Sequence, residues 1–173
     1  MKKILLLAPL VLLLVFVGCK KIDKLLTFNV DVTQSVTIPG YFVGAQLAPV
    51  SVTTKSEDSF RNNKTSRDKV KDVYLDKMVL TVTNPSGANF DFLEKINVYI
   101  NTPGDNNKIL LANLQAVPLS TNIINLEPTK VKLDEYLKSD KYELTVETKL
   151  RGFSPTEFTV RSDATFRVTA SPL

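Results

Sequence analysis

The stretch KYELTVETKL, residues 141–150, decides the fold of this chain. Apolar side chains and Thr148 occupy its even-numbered positions, whereas Lys, Glu and Thr occupy the positions between them. Alternation with a period of two is typical of a β-strand that buries one face and exposes the other. The sequence therefore predicts a strand here, with its even-numbered side chains directed into a core.

The same alternation recurs in several other short segments. Residues 28–38, 96–100 and 158–170 each carry apolar side chains at one parity and polar ones at the other. In residues 73–82 the apolar parity changes, which predicts a β-bulge near Asp76 and Lys77. Residues 41–52 contain Gly44 and Pro49, which favours irregular structure or an edge strand.

Turn motifs separate these strands. NPSG at 84–87 and TPGDNN at 102–107 have the composition of tight turns and hairpin loops. About seven strands divided in this way predict an all-β fold, a single antiparallel β-sandwich of immunoglobulin-like kind. A small antiparallel barrel is the alternative.

Helical signals are confined to two polar segments. Residues 55–72 form a polar crossover in which Thr54 with Glu57, and Thr65 with Asp68, match the capping-box spacing. One or two short helical turns are predicted there, with a crossover loop as the alternative. LDEYLKSD at 133–140 predicts one further turn, capped by Asp134.

The first nineteen residues have the pattern of an export signal. Lys2 and Lys3 precede an apolar run from residue 4 to residue 17, and Gly18 and Cys19 follow it. A membrane-spanning helix needs about 20 apolar residues, so a run that ends at Gly18 favours a signal peptide.

Residues 16–19, FVGC, resemble the lipobox of bacterial lipoproteins, in which an apolar residue, a small residue and Gly or Ala precede an invariant Cys. Phe16 stands where that family usually has Leu. The resemblance implies cleavage between Gly18 and Cys19, a thioether-linked lipid on Cys19 and acylation of the new amino terminus. The resulting division is a signal peptide at 1–18, a lipidated tether at 19–25 and a β-sandwich domain at 26–173.

The residues after Cys19 bear on location. In lipoproteins of this kind an Asp directly after the Cys often causes retention at the inner membrane, and an acidic cluster directs some of them to the cell surface. Here Lys20 and Lys21 follow, and Asp23 is the only nearby acid. The resemblance to small envelope lipoproteins of Gram-negative bacteria therefore implies an outer-membrane protein that faces the periplasm, held by acyl chains on Cys19.

Composition excludes several functions. The chain has no histidine and one cysteine, so neither a Ser-His-Asp or Cys-His site nor a common zinc site can be assembled. Of 22 basic side chains, Lys2 and Lys3 would leave with the signal; 20 would remain against 18 acidic ones, a net charge of +2. This balance and the export signal argue against a nucleic-acid partner.

Two groups of acidic residues can be compared with the spacing that carboxylate catalysis or calcium binding requires. Glu143 and Glu147 lie four residues apart on one strand, about 13 Å at ~3.3 Å per residue, beyond the ~9.5 Å limit for paired carboxylates in glycoside hydrolysis. Residues 105–107, Asp-Asn-Asn, are too few for a calcium loop and favour a turn. The sequence predicts no catalytic residue, no metal site and no cofactor.

Phe90 and Phe92 flank the NPSG turn, where they would either form the edge of a ligand site or pack into the core. The stretch LTVTNPSGANFDF resembles late-embryogenesis-abundant type 2 (WHy) domains, which carry an Asn-Pro turn after a strand in a small β-sandwich. The resemblance covers Val73 to Gly152, depends mainly on Asn84-Pro85, and implies a fold without implying an activity.

The function expected from these features is a non-catalytic envelope module, anchored by lipid, that binds another protein, a glycan or a lipid. A small hydrolase that uses carboxylates is the alternative. A subunit of a surface fibre, with residues 27–38 as the strand exchanged between copies, is a third hypothesis.

Overall fold

A computed structural model describes residues 25–40, 50–53, 56–152 and 156–173. The predicted signal peptide at 1–18, Cys19 and residues 41–49 of the predicted irregular segment lie outside the described residues. The strands are β1 (Leu26–Ile38), β2 (Val50–Thr53), β3 (Val70–Asn84), β4 (Leu93–Asn101), β5 (Ile109–Leu114), β6 (Ile123–Pro128), β7 (Lys141–Leu150) and β8 (Phe158–Ala170). Two short helices, α1 (Ser56–Asn62) and α2 (Asp134–Lys138), and one 3-10 turn (Arg67–Lys69) complete the described elements.

The strands pair as a long antiparallel ribbon folded over on itself. β1 pairs with β8, β2 with β7, β3 with β6, and β4 with β5. Further pairing of β8 with β3 and of β7 with β4 gives the order β1-β8-β3-β6-β5-β4-β7-β2. This nested pairing of the first strand with the last is the arrangement of a jelly roll, in which two Greek keys make a double sheet.

The order divides into two four-stranded halves, β1-β8-β3-β6 and β5-β4-β7-β2. They are joined by the short pairing of β5 with β6, through Ala112–Pro128 and Asn113–Glu127. The halves pack face to face through aromatic contacts between strands that are not hydrogen-bonded neighbours. The rings of Tyr142 on β7 and Phe166 on β8 have centroids 6.4 Å apart, and both side chains are buried. Burial of such rings is the main source of stability in a core of this kind.

The strand predictions are confirmed in their main features. The fold is all-β and antiparallel, with eight strands where about seven were expected. The register shift between Leu75 and Lys77 confirms the predicted bulge. β2 lies at one end of the strand order, as expected for an edge strand. The strand order differs from that of an immunoglobulin domain, because alternation specifies which face a strand buries and leaves its partners open.

The polar crossover contains the predicted short helical turns, α1 and the 3-10 turn at Arg67–Lys69. Arg67 connects it to the rest of the molecule, with its guanidinium bonded to Glu57 in α1 and to Asp140 beside β7. The predicted cap of the helix at 133–140 is corrected: Leu133 precedes α2, and Asp134 is its first residue. The Asp134 carboxylate accepts a hydrogen bond from the Val73 backbone N–H instead, and so ties α2 to β3.

Candidate functional site

A cavity of about 90 Å³ lies between the two halves of the sandwich. Strands β1, β3 and β8 form one wall, and β4 and β7 form the other. The lining consists of Gln34, Val36, Ile38, Met78, Leu80, Phe90, Phe92, Leu93, Ile96, Val98, Leu144, Val146, Thr148, Leu150, Phe158, Val160 and Ser162. Almost all of the exposed lining belongs to carbon atoms, so the cavity suits an apolar guest.

Strand alternation explains how these side chains reach the cavity. The strands of the wall contribute even-numbered positions, which point away from solvent. Leu93 is the exception, because a register shift between Leu93 and Lys95 changes the parity at the start of β4. On β4 these positions, Ile96 and Val98, are buried. On β7 the corresponding side chains Leu144, Val146 and Leu150 are only partly buried. The β7 side of the gap therefore has apolar surface that the opposite sheet leaves uncovered.

Three phenylalanines form the aromatic part of the wall. The rings of Phe92 and Phe158 have centroids 4.7 Å apart, and those of Phe90 and Phe92 are 6.4 Å apart. Backbone hydrogen bonds hold the segment that carries them, from Phe90 N–H to the Thr121 carbonyl at 2.9 Å and from Leu93 N–H to the Phe90 carbonyl at 2.9 Å. Phe90 is buried and Phe92 half-buried. The structure brings both residues of the predicted ligand edge to the cavity; contact with a ligand stays a prediction.

Two polar side chains in the lining were missed by sequence reasoning. Gln34 on β1 and Ser162 on β8 lie directly opposite each other in the strand register. Each takes an inward position in a row of otherwise apolar residues, between Val32 and Val36 on β1 and between Val160 and Ala164 on β8. A polar residue that interrupts the apolar parity of a strand was the signal that could have found them.

The charged side chains of the neighbouring strands lie on the outer faces. Asp163 accepts hydrogen bonds from Thr33 Oγ1 at 2.9 Å and from Arg161 Nε at 2.8 Å. These bonds, the Thr33 bond first, lower the pKa of Asp163 below 3.8. A carboxylate with a lowered pKa stays ionised and is a poor general acid near neutral pH.

Glu143 and Glu147 also lie on the outer face, where each has a separate partner. Glu143 accepts a hydrogen bond from Asn101 Nδ2 at 2.9 Å, and Glu147 pairs with Lys108 at 2.9 Å. The bond from Lys108 lowers the pKa of Glu147 below 4.5. The two carboxylates are therefore part of a surface polar network.

Residues 102–107 are a turn, as predicted. The Asn107 side chain accepts a hydrogen bond from Thr102 N–H at 2.9 Å and donates one to Thr102 Oγ1 at 3.1 Å. In the part of the chain that the structure describes, no three His, Cys, Asp or Glu residues are arranged to hold a metal ion. Within the same described ranges, no helix has the length and apolar character required to cross a bilayer.

Fold and cavity together define a small jelly-roll sandwich with an apolar gap between its sheets. No family model and no curated protein sequence matches the chain. Among solved structures, it is similar to "Structure of Turnip Yellow Mosaic Virus at 100 K", at 16% identity and a TM-score of 0.28 over 84% of this chain and 96% of that one. It is also similar to "Desmodium yellow mottle tymovirus", at 10% identity and a TM-score of 0.28 over 86% and 90% of the two chains. With TM-scores this low, neither similarity bears on fold or function.

Proposed function

We propose that this chain is a lipid-anchored, non-catalytic module of the bacterial envelope that binds a small apolar molecule between its two sheets. The anchor is the acyl group on Cys19, and the resemblance of residues 16–19 to a lipobox supports it. The module belongs to the outer membrane and faces the periplasm, which the absence of acidic residues directly after Cys19 supports.

The apolar lining of the cavity is the observation that carries the binding function. A guest buried there is stabilised by about 25 cal/mol for each Å² of apolar surface removed from water. Engineered apolar cavities in proteins stay dry and take up apolar guests. A glycan is a poor fit, because its hydroxyl groups would lose their hydrogen bonds to water among side chains such as Val98 and Leu144. Of the three ligand classes expected from the sequence, the cavity favours the lipid.

The alternatives receive less support. A hydrolase requires a carboxylate held in apolar surroundings with a raised pKa, whereas Asp163 and Glu147 have lowered pKa values on the outer faces. A fibre subunit that exchanges its first strand would have to replace β1, which pairs with β8 along its whole length.

A filling substitution tests the binding function. Val160 lines the cavity, and Val160→Phe places a ring in the space that a guest would occupy. We expect affinity for 1-aminonaphthalene, an uncharged fluorophore, to fall at least about tenfold in the full-length protein, the loss that ~1.4 kcal/mol of apolar contact represents. Fluorescence titration measures it against a low background, because the chain has no tryptophan.

Val79→Phe is the matched control. Val79 is a half-buried valine on β3 that faces away from the cavity, opposite Asp163 in the register. This variant should bind the fluorophore as the parent protein does. Equal binding by both variants and the parent would show that the fluorophore does not enter the cavity, and would refute the proposed site.

The anchor has its own test. Cys19→Ser should abolish incorporation of labelled fatty acid, since the substituted residue provides no thiol for the thioether bond. Normal labelling of the variant would rule the anchor out. Protease added to intact cells should leave the domain undigested, because the outer membrane shields a periplasmic domain; digestion would overturn the proposed location.

A further inference from the structure

We infer that one end of the sandwich docks on the surface of a bilayer that contains anionic lipid, with Leu25 and Leu173 inserted among the headgroups and nearby lysines in contact with lipid phosphates. We call this surface the tether end; it comprises Leu25, residues 64–71 and residues 171–173. The docking is distinct from the binding of a guest, and it rests on the proposed lipid anchor, which brings the bilayer close.

The tether end lies where three neighbouring strands of one sheet have their ends. β1 and β3 begin there and β8 ends there, because Leu26 and Val70 both lie opposite Ala170. Leu25 directly precedes β1 and is 48% exposed. It is also the first described residue after the predicted tether, so the chain runs from this end of the sandwich towards Cys19.

Hydrogen bonds hold a second exposed leucine on the same surface. Ser171 N–H donates to the Lys69 carbonyl at 3.0 Å, and Leu173 N–H donates to the Lys64 carbonyl at 3.1 Å. The hydroxyl of the buried Thr65 donates to the Ser171 carbonyl at 2.6 Å. Leu173 is 78% exposed although its backbone is held in this way. The tether end thus presents two leucines to water from defined positions.

The charge of the tether end is complementary to an anionic surface. Residues 64–71 carry four basic side chains and one acidic one, Asp68. Of the basic ones, Arg67 is engaged in salt bridges within the domain. The other three are exposed and form no salt bridge within the described residues: Lys64, Lys69 and Lys71. Binding at a membrane interface grows with both the apolar area inserted and the attraction to anionic lipid, and the tether end offers both.

The length of the predicted tether keeps the bilayer within reach of this surface. Leu25 is six residues after Cys19, so the fully extended chain between them spans about 20 Å at ~3.3 Å per residue. With the acyl chains of Cys19 in the bilayer, the tether end is the part of the domain that lies nearest to the headgroups.

Docking in this orientation holds the cavity away from the bilayer. The lining on β1 begins at Gln34, eight residues after Leu26, which is about 26 Å along the strand at ~3.3 Å per residue. The docked domain would therefore carry its guest clear of the headgroups.

Fluorescence quenching by labelled lipid tests the docking. The mature lipidated protein is placed in vesicles of phosphatidylcholine and phosphatidylglycerol in equal amounts, with a nitroxide on some of the headgroups. The thioether on Cys19 leaves the chain without a free thiol, so bimane reacts only with an introduced cysteine. Leu173→Cys places the label at the tether end.

Leu119→Cys is the matched control, because Leu119 is also an exposed leucine, at 63%. Its loop lies at the opposite end of the sheet, where the Asn122 carbonyl accepts a hydrogen bond from Val82 N–H. Val82 is twelve residues after Val70 on β3, about 40 Å at ~3.3 Å per residue. We expect strong quenching of the label at position 173 and little at position 119.

Lysine variants separate docking from tethering alone. Lys64→Gln with Lys69→Gln should lower the ratio of docked to undocked molecules about 25-fold, at about fivefold for each lysine near an anionic surface. Lys77→Gln with Lys95→Gln, outside the tether end, should leave the ratio unchanged.

Equal quenching at positions 173 and 119 would overturn the inference, as would quenching at 173 that the substitutions of Lys64 and Lys69 do not reduce. Either result would leave the anchor intact. Bimane labelling of the parent protein would instead show a free thiol at Cys19 and refute the proposed anchor itself.

Discussion

Two valine-to-alanine substitutions probe whether the gap between the sheets is real. Val168 on β8 is fully buried and lies outside the cavity lining, whereas Val146 on β7 is partly buried and lines it. Both changes remove the same two methyl groups. Only at Val168 do tightly packed neighbours lose their contacts, so the two losses of stability should differ.

The magnitudes follow from burial. Removing two buried methyl groups costs about 1.6 kcal/mol in transfer free energy at ~0.8 kcal/mol each. The void left behind adds about 24 cal/mol for each Å³ that the surroundings do not fill. We expect Val168→Ala to lower the free energy of unfolding by about 2–3 kcal/mol. Val146→Ala should cost less than about 1 kcal/mol, because its side chain already borders open space.

Urea denaturation followed by circular dichroism measures both losses. The slope of the unfolding free energy against urea should stay constant, so that the shift of the midpoint reports stability alone. Thermal unfolding gives an independent check, at about 2–4 °C for each kcal/mol in a domain of this size. Equal losses at Val168 and Val146 would contradict the reasoning, since they would mean that the two valines are packed alike.

Three further predictions follow from single contacts. Val146→Asp should lower the free energy of unfolding by at least about 2 kcal/mol, because it places a charge in the apolar lining. Glu147→Gln on the outer face should change that free energy by no more than about ±0.5 kcal/mol. Urea denaturation of the two variants measures the difference. Tyr136→Phe should cost about 1–2 kcal/mol, since the buried hydroxyl donates a 2.6 Å hydrogen bond to the Asn107 carbonyl, and an unchanged midpoint would contradict this role. Thr33→Val should raise the pKa of Asp163 towards 3.8, as read from carboxyl carbon shifts in NMR, because it removes the main cause of the lowered value.

The sign of the pH dependence follows from the same carboxylate. A folded-state pKa below 3.8 at Asp163 means that its contribution to stability is complete above that value. The contribution is lost as the pH falls through the lower folded-state pKa. Acid titration of the parent protein should therefore show a loss of stability below about pH 4 that is smaller in Thr33→Val.

Alternation predicted most of the strands, because side-chain parity depends on local sequence alone. It correctly gave the face of β7 that lines the cavity and the change of parity at Asp76 and Lys77 in β3, although Thr145 on the opposite face of β7 is buried as well. The strand order could not be read in this way. β1 and β8 are paired from Leu26–Ala170 to Ile38–Phe158, and no local pattern records a partner so far along the chain.

The alternation of side chains could not predict the cavity. It shows which face of the strand a side chain occupies, but it does not show how closely the opposite sheet approaches. Leu144 and Val146 have the pattern of core residues, yet the structure leaves both partly exposed at the gap. Phe90 and Phe92 were predicted near a ligand edge from their place beside a turn.

Methyl NMR of the full-length Cys19→Ser chain with 1-aminonaphthalene tests the central claim most directly. If the ligand lies between the sheets, its ring protons should show nuclear Overhauser effects to the methyl groups of Val98, Val146 and Val160, which line the cavity from three strands. The methyl groups of Val79, on the outer face, should show none. Effects confined to exposed apolar side chains such as Leu119, which is 63% exposed, would place the ligand on the surface and contradict the account.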